Sequence, residues 1–348
     1  MSDGAPALRR LSDGRGLEAL FTDVGATWRS CRLRLADGSW RELLLDAEQL
    51  EPRPAYIGST IGRYANRIAN GRLERDGRAW QLRVAPGQRH QLHGGPGGFH
   101  ARAWTCTAQA PGRIAWQLQS PEGDQGFPGA LDVTLEVRIP EPGCIEWRCA
   151  ATATAWSPFA PTCHAYFNLD GGGDVLAHRL QVAADRYAPV DEELIPLGPL
   201  AAVDGTTVDF REERVIGPNC DHGLLLRPGA PWAARLCSGD GRVGTSITTN
   251  APALQVYAGR HLAGIARSQR TGGGTMPACA GVALEPGWLP DSPNRPQWPQ
   301  PSCWLGPGER RELFIRYRFE AAARPQPQTG THPQGAVFHP VPSPPPQP

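Results

Sequence analysis

Apolar side chains return at every second position in many short runs along the chain. Ile114, Trp116 and Leu118 alternate with other residues, and Leu131, Val133, Leu135 and Val137 do the same. Ile145, Trp147 and Cys149 repeat the pattern, and Leu313, Ile315, Tyr317 and Phe319 carry it to the end of the apolar region. Successive side chains on a strand point to opposite faces, so period two with one apolar face predicts half-buried antiparallel strands. Asp-Gly pairs break two such runs, in "LRLADGSWRELLL" and "RLERDGRAWQL". A two-residue turn with positive φ at both central positions favours that dipeptide, so both segments predict hairpins. There is no amphipathic helix of useful length, no repeat at a fixed period and no dinucleotide-binding fingerprint.

Composition sharpens this picture. With 41 glycines and 36 prolines in 348 residues, long helices are disfavoured. The pattern therefore predicts an all-β fold over residues 1–320, a large antiparallel β-sandwich rather than a barrel. Residues 321–348 are Pro-rich and poor in apolar side chains. They cannot bury enough surface to offset their ordering entropy, and a disordered tail is expected there.

Charge and cysteine usage narrow the function. The net charge is +1 with both signs interspersed, so no nucleic-acid footprint or basic membrane face is expected. Every basic residue other than histidine is arginine. Without lysine the chain can form neither a Schiff base nor a P-loop phosphate clamp. Nine cysteines at irregular spacing, with no C-x-x-C, suit reduced buried thiols. No signal-peptide core and no stretch of roughly 20 apolar residues is present, so a soluble cytoplasmic protein, monomer or homodimer, is expected.

Polar signals concentrate in the segments between strands. "QLHGGPGGFH" carries His93, "PTCHAYFNLDGGG" carries His164, "NCDHGLLL" carries Asp221 and His222, and "ALEPGWLPDSPNRP" carries Glu285 and Trp288. "GSTIGRYANRIANG" sets Asn66 and Arg67 side by side between glycines. Each has a plain structural reading: a hydrogen-bonded packing histidine, a strand-end carboxylate facing water, or, for Arg63 and Arg67, surface cations with buried stems. His90, His93 and His100 match no standard metal-ligand spacing. Together these residues suit a polar, aromatic-lined cleft for a sugar, whose ring face stacks on Trp or Phe while its hydroxyls take directional hydrogen bonds.

Taken in order, "IGRYANRIANG", "LHGGPGGF" with Trp104, "SPEGDQGFPG", "HAYFNL", "VDGTTVDFR", "DHGLLL", "LQVYAG" and "LEPGWLPDSPNRP" resemble the signature segments of the aldose 1-epimerase (galactose mutarotase) family. The closing "LGPGERRELFIRYRF" resembles that family's last strand, so the resemblance runs from about Leu17 to Phe319. It implies a galactose mutarotase-like supersandwich with an open sugar-binding cleft. It also implies interconversion of the α and β anomers of free aldohexoses, with no cofactor and no metal. By the same resemblance Glu285 is the general base and His164 the general acid. His93 lies near the ring oxygen, and Asn66, Arg67, Asp221 and Gln255 hold the sugar.

The chemistry fits those residue types. One group removes the C1 hydroxyl proton and another protonates the ring oxygen; the ring opens, C1–C2 rotates, and closure follows on the other face. A glutamate is ionised at its ordinary pKa, whereas a histidine acting as acid is expected to have a raised one. Two departures bear on sugar preference and on how these groups are aimed. Pro286 and Gly287 follow Glu285 where the family often has Thr-Gln, and "SPFAPTC" before His164 lacks an asparagine often found there. A non-catalytic carbohydrate-binding or sensor protein on the same fold is one alternative. An epimerase of a pentose or a hexose phosphate is the other.

Overall fold

The computed structural model describes residues 7–49 and 54–322; most of the expected tail lies outside the described residues. Strands dominate, and the helical elements among the described residues are single 3-10 turns. The alternating runs become the central strands of a nine-stranded antiparallel sheet. Arg113–Ser120, Leu131–Arg138, Cys144–Ala153 and Arg310–Ala321 lie next to one another in that order. Along Leu131–Arg138 every odd residue is buried and every even one more exposed, as period two requires. Both Asp-Gly segments form hairpins, with different turns. Asp76 and Gly77 both take positive φ (49° and 75°), as a two-residue turn demands, whereas in the first hairpin only Gly38 does. There the Leu35 N–H donates to the Ser39 carbonyl at 2.8 Å, so the loop is longer.

A six-stranded antiparallel sheet contains Tyr166–Phe167, Val282–Gly287, Ala253–Tyr257, Asp221–Leu226, Ala184–Tyr187 and Ala201–Ala202, in that order. A four-stranded sheet is formed by Leu8–Ser12, Leu17–Thr22, Thr27–Arg34 and Trp40–Glu42. Aromatic rings join the layers: Trp28 and Phe167 both pack on Tyr317 at 5.4 Å, and Phe21 on Trp116 at 6.0 Å. One buried apolar cluster runs from Leu11 to Phe319. All nine cysteines are free thiols, seven of them buried.

Register on the six-stranded sheet positions the chemistry. Gly223 stands opposite Gln255, and Gln255 stands opposite Glu285. Directly paired residues share a face, so these three form a row across three strands, with Asp221 and Tyr257 paired beside them. The intervening Leu254, Val256, Val282 and Leu284 point into the apolar core. Gly223 leaves room in the row. A Cβ there would come within 3.0 Å of Leu289 and Pro290 and 3.2 Å of the Gln255 amide oxygen.

Candidate active site

The opposite wall of the site comes from residues 58–67 and 93, and the segment "GRYANR" does most of the fastening. Arg63 is buried, not a surface cation. Its guanidinium donates to the carbonyls of Ser120, Pro121, Pro128 and Gly129 and to the hydroxyls of Ser120 and Ser157. Burial lowers its pKa to about 10, which leaves it charged at neutral pH. The Tyr64 hydroxyl donates to the Leu289 carbonyl at 2.6 Å and accepts from the Ser292 N–H at 2.9 Å. Asn66 sits at φ 70° and its amide oxygen accepts the Arg67 N–H at 2.8 Å. Asn and Asp tolerate that left-handed region by such local bonding.

His93 is fixed by the same residue. Its N–H donates to the Asn66 carbonyl at 3.1 Å, and its Nδ1 accepts the Asn66 N–H at 3.2 Å. A neutral imidazole that accepts at Nδ1 carries its hydrogen on Nε2. Burial, then the neighbouring His164 and Arg67, hold the His93 pKa well below its ordinary value, so this ring is neutral. His164 is tied through its backbone: its N–H donates to Ser59 and its carbonyl accepts from Gly58, both at 2.9 Å. Its Nδ1 is buried without a hydrogen-bond partner among the described residues. The glutamate strand keeps its course through Pro286, whose carbonyl accepts the Thr162 hydroxyl at 2.8 Å.

These ties bring together all seven residues expected from the sequence. His164 Nε2 lies 3.5 Å from Glu285 Oε1, and both side chains are nearly buried. The His93 and His164 rings are 5.1 Å apart. The Gln255 amide donates to Asp221 Oδ1 at 2.6 Å. The Arg67 guanidinium donates to no described residue, yet its charge acts on His93, Asp221 and Glu285. A guanidinium presents five donors in a fixed planar fork, which suits it to oxygen-rich ligands.

The electrostatics differ from expectation in one respect. Burial first, then Asp221, raise the Glu285 pKa to about 8 against the opposing pull of Arg67. Burial lowers the His164 pKa to about 4. The expected ionised glutamate and raised histidine are thus reversed, because desolvation disfavours the charged form of each. Between those values the pair holds one proton, and it resides on Glu285.

The aromatic lining also differs. Trp288 packs into the apolar core, its Nε1 donating to the Pro301 carbonyl, and tyrosines border the site instead. Tyr166 lies 4.9 Å from the His164 ring and Tyr56 lies 4.6 Å from the His93 ring. Sequence reasoning passed over Tyr56, which falls just before the glycine-rich segment that drew attention.

One ligand atom each from His93, His164 and Glu285 falls within 4.8 Å of the others. A tetrahedral ion with bonds of about 2.1 Å holds its donors roughly 3.4 Å apart. Metal-bound histidines ordinarily donate their second nitrogen's proton, whereas His93 accepts at Nδ1 and so presents N–H, not a lone pair, at Nε2. The set does not fit a resident metal. A separate hollow of about 870 Å³ lies between the Arg72–Gln81 hairpin and residues 291–304, and none of the seven residues lines it.

Comparison with known proteins follows the same lines. The aldose 1-epimerase family model matches residues 8–318. The chain is 41% identical over 341 residues to aldose 1-epimerase of Escherichia coli K12, covering 92% of this chain and 97% of that one. It belongs to the aldose 1-epimerase family. Galactose mutarotase of Rattus norvegicus is 32% identical over 314 residues, covering 86% of this chain and 90% of that one. Among solved structures, the aldose epimerase homologue from C. elegans superposes with a TM-score of 0.85 at 29% identity, covering 92% of this chain and all of that one. Galactose 1-epimerase from Lactobacillus acidophilus follows at 0.77 and 26% identity, covering 90% and 93%. The chain is accordingly an enzyme of the mutarotase class with a galactose mutarotase-like β-sandwich. Among the described residues no helix is long and apolar enough to cross a membrane.

Proposed function

We propose that this enzyme interconverts the α and β anomers of free aldohexoses, galactose and glucose among them, by acid–base ring opening at the Glu285–His164 pair. The observation that carries the reading is the buried approach of His164 Nε2 to Glu285 Oε1 at 3.5 Å. The two hemiacetal oxygens share one tetrahedral carbon and so stand closer together than that. Each can therefore lie within hydrogen-bond reach, about 2.6–3.2 Å, of its own group.

Ring opening requires one acid and one base, and a pair that holds one proton supplies both. With the proton on His164, Glu285 takes the proton from O1 while the C1–O5 bond breaks toward O5, and His164 protonates O5. The C1–O1 bond becomes a carbonyl, and the pair has passed its proton from one member to the other. After rotation about C1–C2, O5 attacks the opposite face and the same transfers run backward. By these shifts the proton rests on Glu285. Arg67, which pulls the Glu285 pKa down, favours its return to His164 once the sugar is bound. Asp221 and Gln255 flank Glu285 and bond the neighbouring sugar hydroxyls. Asn66 shapes the loop, and His93 presents its Nε2 hydrogen to ring or hydroxyl oxygens. Relatives named galactose mutarotase favour a free hexose as substrate.

The test is polarimetry of freshly dissolved α-D-galactose and α-D-glucose with the purified protein in the presence of a strong chelator. The expected result is acceleration, lost in Glu285→Gln. Binding without acceleration would leave only a sugar-binding protein.

A further inference from the structure

Tyr56 enters neither the sequence motifs nor the seven residues above, yet it stands at one end of the site. Its ring packs against three imidazoles, with centroids 4.6 Å from His93, 4.8 Å from His100 and 6.0 Å from His164. Ala55 and Tyr56 take φ of 49° and 57°, and the Tyr56 carbonyl accepts the Ser59 N–H at 2.9 Å. Two consecutive non-glycine residues in the left-handed region mark a conformation that the surrounding fold holds in place. The ring is therefore aimed rather than free to drift. Its hydroxyl bonds no described residue, and the charge of Arg67 acts on it. Beside it, Nδ1 of His100 is buried without a partner.

The order of groups around the site indicates what lies at this end. Glu285 neighbours His164, Asp221 and Arg67 and has His93 within 4.8 Å, whereas Tyr56 packs on the three imidazoles. Gln255 is bonded to Asp221, Asp221 acts on Glu285, Glu285 adjoins His164, and Tyr56 packs on His164 from among the other imidazoles, His93 and His100. This step rests on the functional reading above, in which Glu285 faces O1 and His164 faces O5. The ring oxygen is bonded to only two carbons, C1 and C5. Since C1 lies on the Glu285 side, the flank of His164 that carries Tyr56 faces C5 and its substituent. That substituent is the one feature separating an aldohexose, which bears a hydroxymethyl group there, from the matching aldopentose, which bears hydrogen.

We infer that Tyr56 is a specificity-determining residue that reads the C5 hydroxymethyl group, its phenol hydroxyl bonding O6, and so makes this site one for hexoses over pentoses. A site built around a substrate hydroxyl discriminates against analogues that lack it, because its own polar groups are then left unpaired.

Three sugars of identical configuration at C2 to C4 separate the possibilities: D-galactose, 6-deoxy-D-galactose and L-arabinose. Their kcat/KM values are measured by polarimetry on the full chain and on Tyr56→Phe, which keeps the ring and removes the hydroxyl. The expected result is a fall of about 5–10-fold for galactose, one neutral hydrogen bond's worth, bringing it to the level of 6-deoxygalactose. The loss should be confined to the sugar that bears O6. An equal fall for all three sugars would show that Tyr56 acts through the imidazoles instead and would overturn the proposal. No change for galactose would overturn it as well. Failure of the unmodified protein to accelerate any of the three would instead defeat the functional reading itself, together with what rests on it.

Discussion

Glu285 and His164 are each pushed by burial toward the neutral form, the first to about 8 and the second to about 4. A rate that needs one proton on the pair should therefore be bell-shaped in pH. Below the lower limb both groups are protonated and no base remains; above the upper limb both are bare and no acid remains. The apparent values belong to the pair and not to either residue. A kcat/KM profile measured from pH 3.5 to 9.5 should plateau near neutrality and fall on both sides. A single limb would mean that one of the two groups takes no part. Glu285→Gln should lower the rate by ~10²–10⁴-fold across the range. The same burial affects stability. The folded chain holds a proton on Glu285 that the unfolded chain releases above about pH 4.5, so the raised pKa makes stability decline as pH climbs toward 8. Glu285→Gln should consequently match the parent in denaturant titrations at pH 4.5 and exceed it at pH 9, by roughly a few kcal/mol at most.

The motif segments are best understood as one interlocked frame. Arg63 reaches into "SPEGDQGFPG", whose Gln125 accepts the Gly97 N–H within "LHGGPGGF". His93 of that segment is tied back to Asn66, and Tyr64 is bonded to the loop that follows Glu285. Strand existence was legible from the sequence because period two reports burial directly. Leu131 to Val137 and Leu313 to Phe319 face inward as their alternation requires. The seven candidate site residues were singled out by the resemblance their segments carry, and the structure places them near one another. The burial of Arg63 was hidden because periodicity says nothing about a charged side chain enclosed by carbonyls contributed from elsewhere in the chain. The proton distribution was hidden too, since desolvation depends on neighbours that the sequence does not place. Arg63→Lys tests the frame. A single ammonium cannot replace a planar fork that bonds four carbonyls and two hydroxyls, and buried acceptors would be left unpaired. A loss of about 3 kcal/mol is expected, seen as a melting temperature lower by roughly 5–10 °C. An unchanged melting temperature would mean that water or the lysine itself satisfies those groups.

At the scale of the whole molecule the closing strand decides where the fold ends. Arg310–Ala321 pairs on one side with Cys144–Ala153 and on the other with Val243–Thr249, so it lies in the interior of the nine-stranded sheet. It also supplies Tyr317 and Phe319 to the aromatic junction with Trp28 and Phe167. Ala321 pairs with Val243, and the Ala322 N–H donates to the Arg242 carbonyl at 2.8 Å, so the ladder continues two residues past the expected boundary at Glu320. The remaining 26 residues, 323–348, are Pro-rich and carry few apolar side chains. A chain ended after Ala322 keeps every strand bond and core ring just described. Its melting temperature and polarimetric rate should equal those of the full chain. Ending it after Arg316 removes Tyr317 and Phe319 and strips most of the pairing with Val243–Thr249. Loss of two buried aromatic side chains at roughly 3–5 kcal/mol each approaches the whole stability of an ordinary domain, so that chain should fail to fold. A folded, active product from the shorter chain would show that the sandwich closes without Tyr317–Ala321 of its central strand, and a destabilised product from the longer one would assign residues 323–348 a structural role.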